Sequence, residues 1–154
     1  MRTFTPYLIA FYLLSGTAQA QQPVDPRISK GQAVVQQLNN GKPQPALEAM
    51  RRDFPFLAEA TAGFALGDVW GRTVLDTRTR QLAAMAAFAA LGQRTFFKVH
   101  AGYALNAGVP PDELKEIVYL ITVPAGFPRA IEASQALQEL FTERGIDKDK
   151  TPTK

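Results

Sequence analysis

The 154-residue sequence carries one histidine, His100, one tryptophan, Trp70, and no cysteine. An imidazole titrates near neutral pH, so His100 is the side chain best suited to give or take a proton. On a helix, Phe96, Phe97, Tyr103 and Ala104 stand three or four residues from His100, which sets the ring beside aromatic surface. A half-buried histidine satisfied by a carbonyl or carboxylate fits the same pattern. Arg72 and Arg80 carry guanidinium forks that match a carboxylate in two-point geometry. Arg72 follows Trp70 in a glycine-flanked turn, an unusual place for a purely solvating charge, whereas Arg78 reads as a surface residue near Asp76. Glu132 can pair with His100 or Arg72 if their helices meet, or stand exposed in a first turn where the helix dipole favours an acid. Trp70 and the phenylalanines are either core and subunit packing or a platform for a substrate.

The missing cysteine removes thiol chemistry from these residues: no peroxidatic Cys, no redox pair and no thiolate metal site. With one His, a metal site would have to be built from carboxylates. No DxDxDG-type loop is present, so no metal is expected.

The elements that position these side chains are read as helices. Asp25 followed by Pro26 is an N-cap with proline at the first helical position, opening a helix to about Leu38 that stops at Asn39-Asn40-Gly41. A second helix covers Ala46 to Asp53. A third starts at Pro55 with Phe56, Leu57, Ala60, Phe64 and Val69 on one face, and ends near Gly67 and Gly71. Asp76 caps a helix that is small and apolar nearly all round from Leu82 to Leu91, a composition expected to be buried on several sides. The His100 helix follows from Arg94 to Ala107 and closes at Gly108. Pro110-Pro-Asp-Glu113 opens the next, which Pro124 and Gly126 break. Pro128 starts the last, with Ile131, Ser134, Leu137 and Phe141 expected inside, and Gly145 ends it. No stretch alternates like a strand, so the fold class is all-α.

At the N-terminus, Met1-Arg2 precede a short apolar run, Tyr7–Leu14, and Ala18-Gln19-Ala20. That order reads as a signal peptide over 1–20 cleaved after Ala20, which places the chain in the periplasm or outside the cell. The run is too short to span a bilayer, so no membrane association is expected after cleavage. The formal net charge is +3, and no Lys/Arg cluster makes a continuous basic face, which argues against nucleic acid. The stretch 146–154 reads as a frayed, polar tail.

Four stretches, taken together and in order, resemble the carboxymuconolactone decarboxylase family: FALGDVWGR from Phe64, LDTRTRQL from Leu75, KVHAGYALNAG from Lys98 and GFPRAIEA from Gly126. The resemblance implies a compact AhpD-like helical bundle of about six helices over 55–145, behind a helical lead-in at 21–54. It also implies an interlocked homo-oligomer, a trimer or hexamer. The activity it implies is cofactor-free loss of carbon dioxide from a small carboxylate or lactone. In that chemistry His100 would donate the proton, Arg72 would anchor a carboxylate, and Glu132 would orient the imidazole or relay a proton. Trp70, Arg80, Gln81 and Phe96 would contact the substrate. The redox branch of the superfamily uses a Cys-x-x-Cys-x-x-x-His motif and an upstream Glu. Counting back from His100, those positions hold Gln93, Phe96 and Gln81 here, so a thiol peroxidase is not expected. A leader also sets the chain apart from a cytoplasmic degradative enzyme. The alternative reading is a non-catalytic oligomeric protein that binds a small ligand beside His100.

Overall fold

A computed structural model describes residues 25–146, and among them every regular element is helical. The leader and the tail beyond Ile146 lie outside the described residues. Helix α1 (Pro26–Leu38) begins where Asp25 caps it, its carboxylate accepting from the Arg27 amide at 2.8 Å. Helix α2 (Pro45–Asp53) opens on Gln44, whose side chain accepts from the Ala46 amide. Helix α3 (Pro55–Ala60) runs without a break into a π-helix, Thr61–Trp70.

The π segment is the largest departure from the sequence reading. Its wider turn brings residues five apart onto one face, so the buried side is Ala62, Gly63 and Gly67. That side packs on α1 with almost nothing between the backbones. A Cβ added to Gly31 would sit 1.9 Å from the Ala62 carbonyl oxygen, and one added to Gly67 would sit 2.2 Å from that of Arg27. Only glycine permits this approach. The face of Phe56, Leu57, Phe64 and Val69, found by its spacing, is real but points outward, with Phe56 82 % exposed.

Helix α4 (Thr77–Ala90) is capped by Asp76, whose two oxygens accept from the Thr79 amide at 2.7 Å and its hydroxyl at 2.9 Å. Helix α5 (Arg94–Asn106) returns against it and ends before Gly108, which takes a φ of 81°. Helix α6 (Pro111–Leu120), the single turn α7 (Thr122–Ala125) and helix α8 (Phe127–Glu143) complete the chain. Met85, Phe97, Leu114 and Ile121 are fully buried between α4, α5, α6 and α8 and form the main core. Two expectations are corrected here. The Ala-rich α4 buries only Gln81, Met85 and Ala89 within one chain. On α8 the inner stripe is Ala130, Ala133, Ala136, Leu137, Leu140 and Phe141, while Ile131 is 54 % exposed.

Candidate functional site

His100 sits on α5 where α4, α5 and the end of the π segment converge. Its ring stacks on Trp70, with centroids 5.0 Å apart and planes at 22°, and on Phe88, at 5.0 Å and 25°. Tyr103 meets it edge-on at 5.7 Å. Two near-parallel neighbours occupy the two faces of the imidazole, so only the ring edge is left for polar contacts. On that edge, Nδ1 is 2.7 Å from the side-chain oxygen of Gln81. Burial holds the imidazole down at about 4, against an ordinary 6.5, so the ring is neutral at neutral pH.

Gln81 is fully buried, and its side-chain nitrogen has no hydrogen-bond partner. A buried amide N–H without an acceptor costs about 1–3 kcal/mol. A residue that leaves one beside a cleft marks a place where something else supplies the acceptor. Of the side chains that flank His100 from the other helices, Gln81 and Trp70 line a cleft of about 440 Å³, whereas Phe88 does not. Its opposite wall is the α1 face of Lys30, Ala33, Val34 and Gln37. Its rim is the turn holding Arg72, Thr73 and Leu75.

The arginines divide sharply. Arg80 is spent on the backbone: its guanidinium donates to the carbonyls of Val69 at 3.0 Å, Arg72 at 2.7 Å and Leu75 at 3.2 Å. It also lies 5.8 Å from the centre of the Trp70 ring. With three of its N–H groups given to these carbonyls, Arg80 holds the turn in shape while still lining the cleft. Arg72 is the residue that turn presents, exposed at the rim of the cleft. Arg78 pairs with Glu113 on α6, away from the cleft.

Glu132 is not brought to His100. It is exposed on α8, paired with Arg129 at 3.0 Å, and the imidazole's hydrogen-bond partner is Gln81 instead. The carboxylate stays on α8 because Arg129 stands one turn before it on the same surface. Phe96 stacks on Phe88 at 5.3 Å and is half exposed, one ring further out than the histidine and away from the cleft lining. So Trp70, Gln81, Arg72 and Arg80 line the cleft, and His100 stands behind Trp70 and Gln81, in contact with both.

Three contributors were missed in the sequence. Phe88 lies between the Ala residues of α4 and carries no polar signal. Gln44, just before α2, donates to the Tyr103 hydroxyl at 3.0 Å and so ties the segment before α3 to the ring cluster. Lys30 is the third, its ammonium lying across Gly71, where a Cβ would come within 3.0 Å of Nζ. The isolated Gly31 inside α1 was the available sign that this helix packs closely on something.

A half-buried imidazole, stacked between two aromatic rings and bonded to Gln81, thus stands beside a small polar cleft in an all-α bundle. The profile of the Carboxymuconolactone decarboxylase family matches residues 55–139, more than half of the chain, and the chain belongs to that family. It is 37 % identical over 87 residues to a 4-carboxymuconolactone decarboxylase of Acinetobacter baylyi, covering 56 % of this chain and 65 % of that enzyme. The chain thus spans slightly less than two thirds of that relative's length. A nitrosuccinic acid decarboxylase of Metarhizium robertsii is 31 % identical over 105 residues, covering 65 % of this chain and 71 % of its own. An uncharacterized protein of Methanocaldococcus jannaschii is 26 % identical over 98 residues, covering 64 % and 91 % respectively. Helices α1 and α2 precede the matched stretch, so the Lys30 wall of the cleft lies outside the part shared with the family profile.

Proposed function

We propose that the chain is a decarboxylase-like enzyme that removes carbon dioxide from a small carboxylate or lactone, without a cofactor, in the cleft between α1, the Arg72 turn and α4. The observation that carries this reading is the neutral, doubly stacked His100 behind the cleft, with one nitrogen engaged and the other unpaired. Two relatives bear the names of decarboxylases with different acids, which supports the reaction class more than either substrate.

In such a reaction the bond between carbon and the leaving carboxylate breaks, and its electron pair stays on carbon, spread into adjacent unsaturation or a carbonyl. A proton then completes the new C–H bond. Arg72 and Lys30 favour an anion in the cleft, and Gln81 offers its spare N–H to an oxygen. An anion beside the desolvated imidazole offsets the burial that keeps it neutral, so the ring gains a proton from solvent as the acid binds. That proton is delivered to carbon as carbon dioxide leaves. His100 is thereby a proton donor only after it has been a base.

We place the protein in the periplasm, on the leader read in residues 1–20, and as a homo-oligomer, on the exposed apolar side chains of a single copy. The test is to follow loss of a carboxymuconolactone by ultraviolet absorbance, and release of carbon dioxide from a panel of small unsaturated acids. Turnover of at least one acid is expected, with His100→Ala slower by about 10²–10⁴-fold. Acids that bind and stabilise the protein but are recovered unchanged would overturn catalysis in favour of a binding protein.

A further inference from the structure

We propose that Gln81 is the positioning residue for His100: its side-chain oxygen fixes the ring proton on Nδ1 and leaves Nε2 as the nitrogen that takes and returns a proton. The catalytic consequence rests on the function proposed above. The tautomer and its cause do not.

A 2.7 Å contact between an amide and an imidazole admits two arrangements. With the oxygen on the ring, Gln81 accepts from Nδ1–H and its own N–H groups are spare. With the amide turned over, nitrogen donates to a bare Nδ1 and a carbonyl oxygen is spare. The cleft decides between them. Its rim and wall carry Arg72, Lys30 and Arg80 against one acid, Asp76, whose oxygens are engaged by the Thr79 amide and hydroxyl, so what the cleft favours is an acceptor, a carboxylate or carbonyl oxygen. A spare N–H beside that cleft is satisfied by such a group, and a spare carbonyl oxygen is repelled by it. With the oxygen on the ring, the atom left without a partner is the nitrogen, the arrangement the cleft favours. The ring proton therefore belongs on Nδ1.

The chemistry of the amide matters as much as its orientation. A carboxylate at position 81 would pair with the imidazole and favour its charged form. A neutral amide holds the ring in place without adding charge, so burial keeps the ring uncharged until an anion arrives. The acid of the same cleft, Asp76, has both oxygens engaged by the Thr79 amide and hydroxyl. Arg80 lies across Trp70, and Lys30 and Arg72 stand on the cleft, all cationic and opposed to an imidazolium. Tyr103 is held in its neutral form by its own burial. On α5 itself, Arg94 and Lys98 turn to α8, where Glu139 and Glu143 pair with them.

Because the chain has one histidine, nitrogen-15 labelling gives one pair of imidazole signals to assign. At neutral pH the intact protein is expected to show a protonated Nδ1 and a bare Nε2. In Gln81→Met, which removes the acceptor, the proton moves to Nε2. In Gln81→Glu the ring stays Nδ1-protonated and its titration midpoint rises by about one to three pH units. An Nε2–H ring in the unaltered protein overturns the proposal, and that measurement needs no variant to fold. A tautomer or midpoint that ignores both substitutions overturns it too. In turnover assays Gln81→Met should lower kcat through the lost ring position and raise KM through the lost N–H to the substrate, so the ring tautomer is the readout that separates positioning from binding. If no acid is decarboxylated at all, the nitrogen signals still decide the tautomer, so failure of one reading is distinguishable from failure of the other.

Discussion

His100 is neutral because two aromatic rings, Trp70 and Phe88, take the place of the water that would solvate its charge. This makes the residue a liability to the fold in acid. An unfolded histidine takes up its proton near 6.5 and the folded one near 4, so between those values the unfolded chain binds more protons. Stability therefore rises with pH across this window and is lost as the pH falls through it, by up to about 3 kcal/mol. The measurement is urea unfolding at several pH values from 4 to 7, for the protein and for His100→Phe, which keeps a ring in the stack. The two share every carboxylate, so the difference between their slopes isolates the imidazole, and parallel curves would contradict its depressed titration. That His100 sits beside aromatic surface was legible in the sequence, because Phe96, Phe97 and Tyr103 stand three or four residues from it. Its partner was not. Gln81 stood out only as a place where a carboxylate is missing, and it was assigned to the substrate. Its contact with His100 crosses from α4 to α5, and no local spacing rule reports on that. Arg80 misled for a related reason: a guanidinium has the same shape whether it faces a ligand or three carbonyls of its own chain.

Helix boundaries were the most readable feature, since Asp25 and Asp76 cap their helices through amides two and three residues away. The π segment was not, because its width is set by what α1 requires of it. Gly31 and Gly67 each lie against a carbonyl oxygen of the other helix, a contact that exists only in the folded chain. In an ordinary helix interior, Gly→Ala stabilises by about 1 kcal/mol. For Gly31→Ala the opposite sign is expected, a loss of about 1–3 kcal/mol from the overpacked contact, seen as a lower midpoint in thermal or urea unfolding. A stabilised Gly31→Ala protein would mean that α1 does not rest on the π segment as described. The same contact explains why the segment before Pro55, read as a lead-in, is a wall of the cleft.

At the scale of the whole molecule, a single copy leaves large apolar side chains in water on two sides. Phe56 lies on α3 and Val74 in the turn before α4, and Val123 and Phe127, 86 % and 72 % exposed, lie on α7 and at the start of α8. Singly exposed apolar residues are ordinary, and the proposed homo-oligomer would cover these. Sedimentation of the protein at micromolar concentration is expected to give a mass several times that of one chain, and Val123→Asp with Phe127→Asp is expected to lower it. A stable monomer would remove the oligomer from the proposal. The exposed alanines of α4 follow the same logic: the sequence marked them as a buried composition, and one chain alone does not bury them.

The seat of α1 on the π segment has a further consequence for motion. Contacts between side chains loosen gradually, because rotamers can adjust one at a time. A backbone set directly on another backbone has no such intermediate positions. At Gly31 the seat is of that kind, and the Arg27–Asp68 ion pair crosses the same seam, so Lys30, Ala33 and Val34 are carried into the cleft wall by a helix whose placement leaves little slack.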